Sequence, residues 1–253
     1  MTKKKYAWNG NIRAVLFDLD GTLRHSHPTF MQSFLQIAGS LGIATSSENS
    51  RQANRWLHYY WAQSPELLAD WRSYQEHPEI FWAYHARWLL LAMGYDEAES
   101  TSTGSEIARR MQESFKPEDN VHPDVPLTLR YLKSAGYRLG VVSNRRKPYE
   151  EQLASLDLLN YFEFWLYAGE LERWKPKADM FTIALQQLDL PGQAVVYVGD
   201  NYYADVVGAR SAGLWPVLLD PDILFPEAGC PVIPRMGDLT GLLQEQAVQT
   251  SRY

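Results

Sequence analysis

From residue 121 onward, short apolar runs alternate with stretches of helical spacing, and few folds accommodate that rhythm. The runs fall at 138–143, 162–167, 194–198 and 216–219. Helical patterns lie at 124–135, 149–158, 178–188 and 203–212, the first of them stopped by Gly136. Strands separated by helices of this length read as βαβ units of a parallel sheet. Within each run polar residues do not alternate with apolar ones, so helices are expected on both faces. One more run, Ala14-Val15-Leu16-Phe17, supplies a first strand far upstream. Between it and the alternating region the spacing is helical only. Phe30, Phe34, Ile37 and Leu41 predict a helix ending near Gly42, and Trp56, Leu57, Tyr60 and Trp61 a second. Ile80, Phe81, Tyr84, Trp88 and Leu91 predict a third before Gly94. The polar segment 100–104 predicts a loop, and 105–115 a last helix closed by Pro117. The expected organisation is an α/β doubly wound core over 1–24 and 117–253, interrupted after its first strand by a helical domain over 25–116.

In open α/β sheets ligands bind outside the carboxyl ends of the strands, so polar chemistry should recur where strands stop. The first strand ends in Asp18 and Asp20, followed by Gly21 and Thr22. If the extended conformation persists, the two carboxylates face the same way, an arrangement that costs energy unless a cation joins them or one takes a proton. The second strand ends in Ser143-Asn144, and the third is followed by Lys175-Pro176, with Pro176 suited to a helix start. The fourth ends in Gly199-Asp200-Asn201, with Asp205 beyond it. Taken singly, each has an ordinary alternative: a turn, an N-cap, a solvated lysine, a first-turn acid. Taken in order they form a series of carboxylate pair, hydroxyl, ammonium and carboxylate pair.

That ordered series, Asp18-Leu19-Asp20-Gly21-Thr22, Ser143-Asn144, Lys175-Pro176 and Gly199-Asp200 with Asp205, resembles the four motifs of the haloacid dehalogenase superfamily. The insert resembles the helical cap of its phosphoglycolate-phosphatase-like branch. The resemblance implies a Rossmann-like core and a phosphomonoesterase working through an aspartyl-phosphate. Asp18 would be the nucleophile and Asp20 the acid and base. Mg²⁺ would be held by Asp18, Asp200 and the Asp20 carbonyl. Ser143, the Asn144 backbone and Lys175 would hold the phosphoryl oxygens. Thr22 would support the nucleophile loop, and Asp205 would orient Lys175 or a bound water, with Gly199 and Asn201 shaping the last turn. The cap would close over the site, with hinges near Arg24-His25 and Phe115-Lys116-Pro117. Arg24-His25-Ser26-His27 and Arg145-Arg146-Lys147 depart from the closest branch, and Arg145 is a candidate for a second anionic group on the substrate.

Composition narrows the alternatives. Twenty-four basic and 30 acidic residues give a net charge of −6, with no basic tract longer than Lys3-Lys4-Lys5 or Arg145-Arg146-Lys147, which argues against a nucleic-acid partner. Cys230 is the one cysteine, as expected in a reducing compartment. No signal peptide or membrane span is visible, so a cytoplasmic protein, monomeric or homodimeric, is expected to act on a small phosphorylated metabolite. Between residues 56 and 88 aromatic residues crowd around His58, His77 and His85, reading first as the core of a small helical layer and second as a lid gripping an apolar leaving group. A phosphomutase would use the same four motifs, and a non-catalytic phospho-ligand binder would be expected to have lost an acid. A haloalkanoic-acid dehalogenase has no need of Asp20 or a metal site.

Overall fold

A computed structural model describes Trp8 and residues 11–250, with side chains through Gln246; the Lys3-Lys4-Lys5 tract lies outside the described residues. In chain order, β1 (Ala14–Phe17) and β2 (His25–His27) precede five helices. These are α1 (Phe30–Ser40), α2 (Ser47–Trp61), α3 (Pro65–Tyr74), α4 (Pro78–Ala92) and α5 (Glu97–Ser114). Next come β3 (Glu118–Asn120), α6 (Asp124–Ser134), β4 (Arg138–Ser143), α7 (Glu150–Ser155), β5 (Phe164–Tyr167), α8 (Ala168–Leu171) and α9 (Ala178–Leu188). The chain closes with β6 (Val195–Gly199), α10 (Gly208–Ser211), β7 (Trp215–Leu219), β8 (Val232–Ile233) and α11 (Asp238–Thr250). Two compact units result, Ser26–Asn120 and the remainder.

In the α/β unit six strands pair in the order β5-β4-β1-β6-β7-β8, every pair parallel. All four residues of β1 are buried. The period of two splits them between faces. Val15 and Phe17 join Leu129, Leu132, Leu153 and Leu239 beneath α6, α7 and α11. Ala14 and Leu16 join Tyr197, Met180, Phe181, Ala184 and Ala209 beneath α9 and α10. Both faces are covered, as the unbroken apolar runs require.

The helical unit departs from the sequence reading in three places. The segment 100–104, expected as a loop, lies inside α5. Asp96 caps that helix by accepting the Glu99 N–H at 2.9 Å, and Glu97 and Glu99 add favourable charge to its first turn. Ser100 and Gly104 are buried, and a Cβ at Gly104 would come within 2.8 Å of the Arg87 nitrogen. Small residues there mark close packing on α4, which a polarity reading mistakes for exposure. Helix α3 has no counterpart in the sequence reading, although Ser64 caps it and Pro65 opens it. The short strands β2 and β3 pair with each other. Most of the aromatics make this unit's own interior: Tyr60 and Phe81 are buried with Trp56, Trp71 and Trp88 packed against them, while Trp61 and Trp82 stay partly exposed.

In the α/β unit, Pro176 does not open α9; it precedes the cap residue Lys177. Beyond β6 the chain makes one wide π turn, Tyr202–Val207, before α10. The strand β8 and helix α11 extend the unit beyond the region that sequence spacing resolved.

Candidate active site

The chain builds outward from β1 through β4 and β5 on one side and through β6, β7 and β8 on the other. The strand order therefore reverses at β1, the position where such sheets bind ligands at their carboxyl ends. Asp18 follows β1 directly, and its N–H reaches the Val198 carbonyl at 2.9 Å, holding it level with the end of β6. It continues the Ala14-Leu16 series, so its side chain falls on the α9 face, where Leu16 pairs with Tyr197. Extension does not persist to Asp20. The Leu19 carbonyl accepts the N–H groups of Leu23 and Arg24, both at 3.0 Å, and folds the chain into a turn. Gly21 sits in that turn with φ +87°, and a Cβ there would lie 2.4 Å from an Asp200 carboxylate oxygen. Backbone and space both demand glycine.

Lys175 is buried at the centre of the site. Its Nζ donates to Asp18 Oδ1 at 2.6 Å, Asp205 Oδ1 at 2.7 Å and the Tyr197 hydroxyl at 2.8 Å. Burial disfavours the ammonium, but Asp18 and Asp205 outweigh that cost and hold Lys175 protonated well above the usual lysine range. Burial pushes the Asp18 carboxyl up to about 7; Lys175 opposes the rise, and Asp205 adds to it. Asp200 is raised well above the carboxylate range, first by burial and then by Asp18 and Asp205.

Asp18, Asp200 and Asp205 offer oxygens within 4.8 Å of one another. Asp205 has both of its oxygens engaged, Oδ1 by Lys175 and Oδ2 by the Asn201 N–H at 2.9 Å. Asp200 Oδ1 accepts from Thr22 Oγ1 at 3.2 Å. Asp18 Oδ2 and Asp200 Oδ2 take no hydrogen bond from any described residue and remain as hard donors. Buried Asp18 and half-buried Asp200, both raised first by desolvation, make a pair of carboxylates that fits a small divalent cation. Asn201 also caps the π turn, its Oδ1 accepting from Tyr203 and Ala204 at 3.0 and 2.9 Å, which fixes Asp205 in place. Gly199 is required for the same reason: a Cβ there would lie 2.3 Å from the Asp205 carboxylate.

Asp20 lies outside that cluster. Arg145 grips it with two bonds, Nε to Oδ2 at 2.6 Å and Nη2 to Oδ1 at 2.7 Å, and Arg24 makes a further bond to Oδ1. Burial raises its pKa, but the bonds and charge of Arg145 and then Arg24 outweigh this, so Asp20 is lowered overall and held ionised. Arg145 is thus committed to Asp20 and to Gln152. Buried Ser143 accepts the Arg145 N–H at 3.3 Å. The Asn144 side chain locks the lysine backbone, with Nδ2 donating to the Lys175 carbonyl at 2.9 Å and Oδ1 accepting the Lys175 N–H at 2.7 Å. The expected residues therefore divide into Asp18, Lys175, Asp200 and Asp205 around one centre, and Asp20 with Arg145 beside it. Sequence reasoning missed Tyr197 and the Arg24 contact. The available signal for Tyr197 was a lone hydroxyl within an otherwise apolar strand.

The sequence model of a haloacid dehalogenase-like hydrolase matches residues 12–213. The chain is 30% identical over 215 residues to a ribulose-1,5-bisphosphate 5-phosphatase of Halopiger xanaduensis, covering 82% of this chain and 84% of the relative. It is 25% identical over 216 residues to a 5-amino-6-(5-phospho-D-ribitylamino)uracil phosphatase of Escherichia coli, covering 84% and 85%. Among solved structures it is similar to a HAD phosphatase from Thermococcus onnurineus, with TM-score 0.55, 24% identity and coverage of 92% and 98%. It is also similar to a 2-haloacid dehalogenase from Pseudomonas syringae, with TM-score 0.54, 25% identity and coverage of 92% and 99%.

Proposed function

This chain belongs to the haloacid dehalogenase-like hydrolases, and we propose that it is a Mg²⁺-dependent phosphatase that hydrolyses a small phosphomonoester through an aspartyl-phosphate on Asp18. The observation that carries this reading is the buried Lys175 ammonium shared by Asp18 and Asp205 beside the Asp200 carboxylate. Lys175 holds Oδ1 of Asp18, and no described residue donates to Oδ2, the oxygen suited to attack phosphorus. Mg²⁺ held by Asp18, Asp200 and the Asp20 carbonyl would neutralise the acid cluster and the incoming phosphate together. Asp20, ionised by its arginines, is in the state that accepts a proton from the water that hydrolyses the intermediate. The Ser143 hydroxyl and the N–H groups of the turn after β4 supply donors for phosphoryl oxygens, with Asn144 keeping Lys175 in register.

A dehalogenase reading is disfavoured although one structural relative carries that name. That reaction has no use for three clustered carboxylates or for an aspartate held by two arginines. In this reading the helical unit is the cap. The names of the two phosphatase relatives, both specifying phosphorylated sugar or ribityl compounds, support beginning a substrate search with phosphorylated sugars and polyols. Among the described residues no helix is long and apolar enough to cross a membrane.

The test is phosphate release from a panel of phosphomonoesters with and without Mg²⁺. Metal-dependent release by the wild type, lost in Asp18→Asn, is expected. No release by the wild type, or undiminished release by the variant, would overturn the proposal. Retention of phosphate on the enzyme, followed by transfer to a second sugar hydroxyl, would identify a mutase instead.

A further inference from the structure

An ammonium has three N–H bonds, and all three of Lys175 are accounted for by Asp18, Asp205 and Tyr197. Only the last of these partners is uncharged. The Tyr197 hydroxyl has one proton, and its shortest acceptor is the Val142 carbonyl at 2.9 Å, against 3.3 Å to Asp205 Oδ1. With that proton directed to Val142, the phenol oxygen presents its lone pairs to Lys175.

The geometry behind this is rigid. Tyr197 lies on β6 and Val142 on β4, with β1 between them. The phenol therefore spans two inter-strand spacings, roughly 10 Å, across the face from which Asp18 emerges. Its side chain is wholly buried, and its ring meets Phe181 edge-on at 4.9 Å. Phe181 is itself confined, since a Cβ on Gly208 would come within 2.6 Å of it. Asp205, in turn, is held by the Asn201 N–H. Two of the three ammonium directions are thus set by groups the fold fixes, and the third is left pointing at Asp18.

We propose that Tyr197 is a positioning residue for Lys175: by accepting one ammonium proton from a fixed point on the sheet, it aims the remaining N–H at Asp18 Oδ1 and leaves Oδ2 for attack. This rests on the phosphatase reading for its consequence in turnover. Without the hydroxyl the ammonium keeps its charge and both carboxylates but gains freedom to rotate between them.

Tyr197→Phe keeps the ring and its packing and removes only the acceptor. One hydrogen bond to a charged group corresponds to a ~10–100-fold effect. We expect kcat on the best phosphomonoester of the panel to fall by that factor, with KM within about threefold. In a Lys175→Met background the same substitution should change nothing further, because Tyr197 acts only through Lys175; a purely structural role would multiply the two losses. Removing Lys175 leaves buried carboxylates unpaired and can prevent folding, so a second readout is needed. A lysine-selective ¹H–¹⁵N spectrum of the wild type should show one ammonium signal protected from exchange, and Tyr197→Phe should broaden or abolish it. An unchanged kcat, a multiplicative double variant or an unchanged protected signal would each overturn the proposal. The spectrum requires no turnover, so a wild type without phosphatase activity would sink the functional reading while still testing Tyr197.

Discussion

His85 offers the clearest quantitative test of how this chain is held together. It is fully buried in α4, and neither ring nitrogen has a hydrogen-bond partner. Phe30 from α1, Trp56, Tyr60 and Trp61 from α2, and Trp82 from its own helix surround the ring, with centroids between 5.0 and 6.3 Å away. The Tyr60 hydroxyl in this wall donates its proton to Asp70, so it gives His85 no donor. Burial lowers the imidazole pKa from 6.5 to about 3. A histidine depressed in the folded state binds fewer protons there than when unfolded. Between about 6.5 and 3 the unfolded state therefore gains protons first, and stability falls as pH falls. Each unit of pH in that window corresponds to about 1.36 kcal/mol. From pH 7 to pH 5 only the 1.5 units below 6.5 count, so His85 should cost the helical unit ~2 kcal/mol. Asp70, raised by burial, has the opposite sign but is common to wild type and variant. The substitution His85→Leu removes the titration and the two orphaned nitrogens while roughly conserving volume. Urea unfolding at pH 7 and pH 5 should be followed by tryptophan fluorescence, because Trp56, Trp61 and Trp82 line the site. The wild type should lose ~2 kcal/mol more than His85→Leu on acidification. Equal losses in the two proteins would refute the argument, whatever the absolute stability of the variant.

Three further perturbations probe the catalytic unit. Asn144→Ala deletes both bonds to the Lys175 backbone; it should destabilise by ~1–3 kcal/mol and lower kcat at least tenfold, and denaturant midpoints within error of the wild type would contradict it. Asp200→Asn should weaken Mg²⁺ binding ~100-fold by removing the charge of a proposed ligand, read from the metal dependence of phosphate release and from calorimetric titration; an unchanged half-saturation would count against the proposed ligand set. In Gly169→Ala the new Cβ would lie 1.8 Å from the Arg146 carbonyl oxygen, so the turn carrying Arg145 must move. A loss of more than ~2 kcal/mol is expected, and a change under ~0.5 kcal/mol would show that the turn has room to yield.

Much of the α/β unit was legible because its signals are local. Unbroken apolar runs such as Val195-Val196 announce buried parallel strands, and Gly136 announces a helix end. The helical unit was legible only where apolar spacing dominated. At Ser100 and Gly104 the same small residues that suggest a loop instead permit two helices to touch, and only the partner helix reveals which applies. The site divides in the same way. Asp18, Ser143 and Asp200 could be placed at strand ends, and Lys175 in the segment that follows β5, by counting along the chain. Arg145 could not be assigned to Asp20, nor Asn144 to the Lys175 backbone, because those pairs are separated by 125 and 31 residues.

The sequence by itself determined the kind of molecule: a covered parallel sheet with carboxylates, a hydroxyl and an ammonium at successive strand ends, hence a member of this hydrolase family. Period and residue type are enough for that, since each strand dictates which of its own residues reach its carboxyl end. Tertiary structure alone decided how the charges are shared. Strand order brings β4, β1 and β6 side by side, and only then do Lys175, Tyr197 and Asp205 meet Asp18 while Asp20 turns to Arg145. Burial then sets their protonation, because the cost of a charge depends on the neighbours that fold brings to it and not on its place in the chain.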